Sequence, residues 1–315
     1  NPMQDALIGT ASPPPPPVLG NILRVGWPVA LQFFSAAASG LFIFILLGRL
    51  VTEDALAAYG LANTLCNLLG RYFINGLASG LDTISSQAWG AREYRKVGLY
   101  AQRVLLLLLL CICLPLSVVW WNAEVILVRA GQPRAVAQYT GTYARLCIPM
   151  LFATALATVL TKSLLAVGKS RPVLHAQMVT ILLVGGLLLL LVWYFKLGLV
   201  GAAIARTTAT AVQSAYLLVF VAFDRECRMC WPGLSRDALR GWLAYLRLGL
   251  PSCFMVLAEA LSWDIVSFLA GLCRSATGGA PAKPAALLAA QGFLQGCIAL
   301  TYCIPQGLGR GLATT

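Results

Sequence analysis

Eight apolar segments, each about long enough to cross a lipid bilayer, follow one another along this sequence of 315 residues. One of them contains six consecutive leucines, Leu105–Leu110. In lipid every backbone N–H and C=O needs a partner within the protein, which only helices and closed barrels provide. The pattern predicts an all-α polytopic membrane protein with spans at residues 26–48, 58–79, 99–121, 143–167, 173–195, 197–223, 248–273 and 285–304.

The composition argues against a water-soluble protein. Apolar residues make up 59% of the chain and charged residues 11%, about half the charged share of an average soluble domain. This leaves too little polar surface to cover a soluble globule, and it also excludes a disordered chain. The sequence has no P-loop, no H-E-x-x-H motif and no dinucleotide-binding glycine fingerprint. We therefore expect that the protein is not an enzyme and holds no cofactor or metal. We also expect that it takes its energy from an ion gradient rather than from ATP.

The formal net charge of +12 is spread over the loops between the apolar segments. Loops after even-numbered spans carry ten Lys or Arg residues, and those on the other side carry six. Cytosolic loops are enriched in basic residues, so both termini are predicted to be cytosolic. The distribution predicts contact with the lipid bilayer rather than with nucleic acid. Cys227 and Cys230 form a C-x-x-C motif without a second pair nearby, and we expect small buried side chains there.

Two parts of the chain resemble each other. Residues 23–28 and 246–251 share Leu, Arg, Gly and Pro at an offset of 223 residues, and the ends of the second and eighth spans also match. The repeat predicts a duplicated six-span unit whose two copies enter the membrane in the same direction. We expect a Pro-rich cytosolic tail at 1–22, a complete N-lobe at 23–223, a cytosolic interlobe linker at 224–246 and the first two helices of a C-terminally truncated C-lobe at 247–315.

Three stretches resemble one family of transporters. Residues 76–91, GLASGLDTISSQAWGA, are similar to the signature after the second helix of multidrug and toxic compound extrusion (MATE) transporters. Residues 250–264, LPSCFMVLAEALSWD, resemble the opening of that family's second lobe, and residues 302–309 resemble the end of its eighth helix. The resemblance implies a twelve-helix, two-lobed antiporter with a V-shaped cavity, which exports organic cations in exchange for protons or sodium ions.

The eukaryotic branch of that family fits best. The first span has no acidic residue, and Glu259 lies eight residues after Pro251, at the glutamate position of the eukaryotic pattern. An ionised carboxylate in an apolar helix is costly unless it is paired or hydrated. A carboxyl group there can exchange its proton for a cationic substrate, so we predict Glu259 as the site of proton and cation coupling. The alternative is a carboxyl group that only joins two helices.

Other residues are candidate cavity residues. Asp264 lies about 140° around the helix from Glu259, whereas Trp263 shares the face of Glu259 and can stack on an organic cation. Asn67, Gln291 and Tyr302 match cavity positions of the family. The alternative for Trp263 is a core side chain or an interfacial anchor, and the alternative for Asn67 is a residue that joins two helices.

Asp82 is the candidate gate residue, since it lies where the second span meets the cytosol. We expect it to pair with Arg92 or Arg95, or to cap a short helix. Arg71, inside the second span, needs an acid, a carbonyl group or water as a partner.

These observations favour a monomeric, proton-coupled exporter of organic cations or xenobiotics in the plasma membrane or an organelle membrane. One alternative is a lipid-linked sugar flippase of the same superfamily, because Arg71, Arg145 and Arg206 offer basic residues within spans. Another is a truncated fragment without transport activity.

Overall fold

The computed structural model describes residues 18–50, 52–231, 233, 235–272, 298, 301, 302 and 305. Every regular element within these residues is helical, which confirms the predicted all-α class. Four helical segments are long and apolar enough to cross a membrane by length and composition. They are Tyr94–Trp121, Ile148–Ala166, Ser170–Tyr194 and Gly198–Phe223.

The helices form a chain of long segments, some of them interrupted by single π-helical turns. These turns are Asn67–Arg71, Leu108–Cys113 and Leu189–Tyr194. The α-helices are α1 (Val18–Leu50), α2 (Glu53–Cys66), α3 (Tyr72–Ala78), α4 (Gly80–Gly90), α5 (Tyr94–Leu107), α6 (Leu114–Trp121), α7 (Ala123–Arg129), α8 (Arg134–Leu146), α9 (Ile148–Ala166), α10 (Ser170–Leu188), α11 (Gly198–Phe223), α12 (Arg225–Cys230) and α13 (Trp242–Leu272). A 3₁₀-helix, Arg236–Leu239, precedes α13.

The predicted spans agree with these helices to different degrees. The third, fifth and sixth spans lie within the observed helical segments to a few residues. The fourth was predicted to begin at residue 143, but the apolar helix begins at Ile148, because the chain turns at Cys147 and Pro149 occupies the first turn of α9. The seventh begins earlier than predicted, at Trp242, after Gly241 with a positive φ of 75°. Most of the eighth lies outside the described residues.

The core of the helix bundle is apolar and tightly packed. Trp120 and Tyr143 are among its largest fully buried side chains. Gly70 allows the approach of Trp120, because a Cβ atom added there would lie 2.8 Å from Cζ2 of that tryptophan. In contrast, many large apolar side chains on the outside of the helices are exposed, among them Leu182 and Phe223. An apolar exterior of this kind fits lipid rather than water.

The segment between α11 and α13 folds back onto the bundle. Gln102 on α5 donates from Nε2 to the carbonyl oxygen of Gly233 at 2.7 Å and accepts from the backbone N–H of Ser235 at 3.2 Å. Asp224 accepts hydrogen bonds from the N–H groups of Glu226 and Cys227 at the start of α12, and it pairs with Lys169 in the turn between α9 and α10. These contacts fix the point from which α13 enters the bundle.

Candidate functional site

The second helical segment, residues 53–90, and α13 pack closely where α3 faces α13. A Cβ atom added at Gly76 would lie 2.9 Å from Cα of Cys253, and one added at Gly249 would lie 3.1 Å from Leu77. The hydroxyl of Tyr245 donates a hydrogen bond to the carbonyl oxygen of Leu77 at 2.5 Å. The glycines thus let two helix backbones approach each other at a contact fixed by a hydrogen bond.

The order of these contacts shows that the two helices run antiparallel. Gly76 faces Cys253, whereas Gly80, further along the first helix, faces Tyr245, earlier along the second. Arg71 lies five residues before Gly76, and Glu259 lies six residues after Cys253. At about 1.5 Å per residue, both residues lie roughly 8 Å along the helix axes from the contact between Gly76 and Cys253, and on the same side of it. Both side chains are exposed.

Glu259 is joined to the eighth predicted span. The hydroxyl of Tyr302 donates a hydrogen bond to Oε1 of Glu259 at 2.5 Å. The two residues are 43 positions apart, so the structure brings together two of the predicted site residues. The backbone of Asp264 and of Trp263 continues α13, but their side chains, like the whole of Gln291, lie outside the described residues.

Asn67 begins the first π-helical turn and is half-buried. π-helical turns inside α-helices occur often at functional sites, because one extra residue re-aims the side chains around it. The turn spans Asn67–Arg71. Asn63 lies four residues before Asn67 and therefore on the same face of the helix. The sequence singled out Asn67 and Arg71, but not Asn63.

Asp82 does not pair with Arg92 or Arg95, as the sequence led us to expect. Its carboxylate lies 2.6 Å from Nζ of Lys162 on α9, a helix that packs against α4. Arg92 follows the end of α4, about 15 Å along the helix axis from Asp82, which is too far for the expected pair. Lys162 is almost fully buried, with a side-chain exposure of 6%. A lysine within a predicted span was a signal that the sequence analysis did not use.

Arg206 on α11 points into the bundle. Its Nη1 donates a hydrogen bond to Oδ1 of Asn63 at 2.9 Å. Tyr59 and Tyr143 lie beside its guanidinium group, and their rings meet edge to face with centroids 5.8 Å apart. The third basic candidate of the sequence analysis, Arg145, lies elsewhere and pairs with Glu124 at 3.2 Å.

The family model described as MatE matches residues 28–190, which is more than half of the chain. The chain belongs to the MatE family. This membership confirms the predicted resemblance to MATE transporters and identifies the chain as a multi-pass membrane protein from a family of transporters that handle small organic molecules.

Relatives with curated names agree with this membership. Protein DETOXIFICATION 16 of Arabidopsis thaliana is 36% identical over 217 residues, which cover 69% of this chain and 44% of the relative. Multidrug and toxin extrusion protein 2 of Mus musculus is 33% identical over 254 residues, which cover 81% of this chain and 42% of the relative. The chain thus spans less than half the length of these two relatives.

Solved structures support the same fold. The crystal structure of eukaryotic MATE transporter AtDTX14 is similar with a TM-score of 0.81 and 26% identity, over 94% of this chain and 64% of that one. The crystal structure of MATE in the straight conformation is similar with a TM-score of 0.74 and 20% identity, over 92% of this chain and 63% of that one. At 20% identity the second similarity concerns the fold alone.

Proposed function

We propose that this MatE family member exchanges organic cations for protons, and that the exposed carboxylate of Glu259, hydrogen-bonded to Tyr302, is the coupling site. The observation that carries the proposal is this placement, on α13 and beyond the close contact of α3 with α13. A carboxylate at this depth attracts a cation when it is ionised and loses that attraction when it is protonated. Proton and substrate therefore compete for one group.

The contact between α3 and α13 supplies the conformational part of the proposal. Both helices meet through glycines at one end and carry exposed polar side chains further along. We propose that this closed end faces the cytosol, in agreement with the distribution of basic loop residues. The proposed cycle opens the Gly76–Cys253 contact and closes the opposite end around the protonated or the substrate-bound site. Asp82 and Lys162, about two turns beyond Gly76, are the proposed gate pair at the cytosolic end.

Proton-driven efflux of a fluorescent organic cation from proteoliposomes tests the proposal. Glu259→Gln keeps the size of the side chain and removes the titratable group, so we expect efflux to stop while the protein still inserts into the membrane. Glu124→Gln is the matched control, because Glu124 forms an ion pair with Arg145 between α7 and α8 and lies outside α13. Unchanged efflux in Glu259→Gln contradicts the proposal.

A second candidate function is the flipping of lipid-linked sugars, whose phosphates carry negative charge. The exposed guanidinium group of Arg71 favours it, since it adds positive charge to the helical segment that packs against α13. Rescue of flippase-deficient cells without cation efflux in vesicles would support this function, and efflux without rescue would support the antiporter. Failure of both assays with a folded protein identifies a fragment without transport activity.

A further inference from the structure

An open apolar groove runs along the last two turns of α11. It is lined by Tyr216, Val219, Phe220, Phe223 and Asp224, and its volume is about 390 Å³. Tyr216 and Phe220 also pack against the buried core, whereas Val219 and Phe223 are exposed. Since α11 is long and apolar enough to cross a membrane, an apolar groove on its outer side fits a lipid acyl chain better than water.

The short helix α12 follows directly after this groove and has two different faces. Cys227 and Cys230 are buried and pack against the bundle. At 3.6 residues per turn, Arg225, Arg228 and Met229 lie on the opposite face of α12, and all three are exposed. α12 therefore presents two guanidinium groups and one apolar side chain away from the bundle, next to the end of the groove.

The acidic residues of this segment have another basic partner. Asp224 and Glu226 both pair with Lys169, the second at 3.1 Å. Within the part of the chain that the structure describes, neither Arg225 nor Arg228 forms an ion pair. The charge left uncompensated at the end of the groove is therefore positive.

Two exposed aromatic residues flank α12. Phe223, with an exposed fraction of 82%, ends the apolar helix α11, and Trp231, with 39%, follows α12. Tryptophan is enriched where acyl chains meet headgroups, and arginine side chains extend from that level to the phosphates. This arrangement is typical of a segment at the membrane surface, with the groove on the acyl-chain side and the guanidinium groups on the headgroup side.

We propose that the groove on α11 and the arginines of α12 form a binding site for one anionic phospholipid. An acyl chain fills the groove, and Arg225 and Arg228 bind the phosphate through the paired N–H donors of their guanidinium groups. Charge complementarity favours this occupant, because the headgroup cation of a zwitterionic lipid is repelled by two arginines. Anionic lipids are enriched in the cytosolic leaflet, in agreement with the cytosolic position predicted for residues 224–246.

Native mass spectrometry of the full chain, released from detergent micelles, tests the headgroup preference. Phosphatidylglycerol and phosphatidylcholine with identical acyl chains are titrated separately, and the bound lipids are counted. We expect phosphatidylglycerol to bind about tenfold more tightly than phosphatidylcholine. Equal affinity of the two lipids identifies ordinary boundary lipid and overturns the proposal. A dimer that excludes both lipids identifies a second copy of the chain as the occupant and also overturns it.

A double variant tests the headgroup contacts. Arg225→Gln combined with Arg228→Gln is expected to lower the affinity for phosphatidylglycerol by about tenfold and to leave that for phosphatidylcholine unchanged. The matched control combines Arg129→Gln with Arg134→Gln, which removes two exposed charges at the turn between α7 and α8. Equal phosphatidylglycerol binding in the two double variants overturns the proposal.

A single variant tests the groove. Val219→Trp places a large side chain in the groove and keeps both arginines, so we expect weaker binding of phosphatidylglycerol. Leu182→Trp is the matched control, because Leu182 is an exposed residue of α10 outside the groove. Equal phosphatidylglycerol binding in the two variants overturns the groove as the acyl-chain site.

The lipid site does not depend on the coupling role proposed for Glu259. Glu259→Gln is expected to leave phosphatidylglycerol binding unchanged. If efflux persists in Glu259→Gln while phosphatidylglycerol binding depends on Arg225 and Arg228, the coupling proposal fails and the lipid site stands. If efflux stops in Glu259→Gln while the arginine variants bind both lipids as the unchanged protein does, the lipid site fails and the coupling proposal stands.

Discussion

The hydroxyl of Tyr302 donates a hydrogen bond to the carboxylate of Glu259 at 2.5 Å and so connects α13 to the helical residues of the next predicted span. A charge-assisted hydrogen bond of this kind contributes about 1.5–3 kcal/mol and fixes the orientation of the carboxylate. The contact gives the proposed coupling site a defined geometry, because Glu259 alone on an exposed helix face would sample several rotamers.

Tyr302→Phe is expected to lower the initial rate of proton-driven cation efflux by about tenfold, the effect of losing one oriented donor. The measurement is the efflux of a fluorescent organic cation from proteoliposomes at matched protein content. Tyr139→Phe is the control, since Tyr139 is an exposed tyrosine on α8. An efflux rate in Tyr302→Phe equal to that of the control would show that the hydrogen bond does not contribute to transport.

Gly76→Ala is expected to weaken the contact between α3 and α13 and to slow proton-driven cation efflux. A Cβ atom at position 76 would lie 2.9 Å from the backbone Cα of Cys253, so the two helices would have to move apart. The efflux of a fluorescent organic cation from proteoliposomes at matched protein content measures the change. Gly60→Ala is the control, because a Cβ atom at Gly60 meets nothing within 4 Å. Equal efflux in the two variants would show that the close α3–α13 contact does not contribute to transport.

Asp82→Asn is expected to destabilise the protein by about 1–3 kcal/mol, because it removes the carboxylate charge beside the buried ammonium group of Lys162. The half-exposed position of Asp82 keeps the effect below that of a fully buried pair. Thermal unfolding in detergent measures the change. Glu93→Gln is the matched control, since it breaks the exposed Lys96–Glu93 pair and should change stability by less than about 1 kcal/mol. Equal effects of the two variants would contradict a structural role of the Asp82–Lys162 pair.

The Asp224–Lys169 pair predicts a loss of stability in acid. The hydrogen bond from Lys169 lowers the pKa of Asp224 from 3.8 to about 2. The group therefore contributes stability above pH 4, about 1 kcal/mol or less because water screens the pair, and this contribution is lost as the pH falls from about 4 to 2. Unfolding by denaturant, followed between pH 2 and 6 by tryptophan fluorescence, measures it. Lys169→Met should flatten this part of the profile, and an unchanged profile would contradict the assignment.

The sequence predicted the positions of the membrane-spanning helices better than the contacts between their residues. The leucine run Leu105–Leu110 placed the segment Tyr94–Trp121, and the long apolar stretches placed α10 and α11. The start of α9 was misplaced because Tyr143 and Cys147 are as apolar as a span requires, although the chain turns between α8 and α9. Hydropathy measures how apolar a segment is, and it contains no information about where the backbone turns.

The residues of the candidate site were easier to predict from the sequence than the contacts between them. Glu259 and Tyr302 were both proposed from the family resemblance, but their hydrogen bond depends on how two helices pack. Lys162 and Asp82 are 80 residues apart, and Arg206 and Asn63 are 143 residues apart. No periodicity along one helix specifies which face of a distant helix it meets, so these pairs became visible only in the structure.

The pH dependence of cation binding tests the central claim, the competition of proton and cation at Glu259, most directly. The dissociation constant of an organic cation is measured on the purified protein in detergent solution at a series of pH values. The account predicts that cation affinity falls as the proton concentration rises, because proton and cation exclude each other at one carboxyl group, and that this dependence is absent in Glu259→Gln. An equal pH dependence in the unchanged protein and in Glu259→Gln would contradict it.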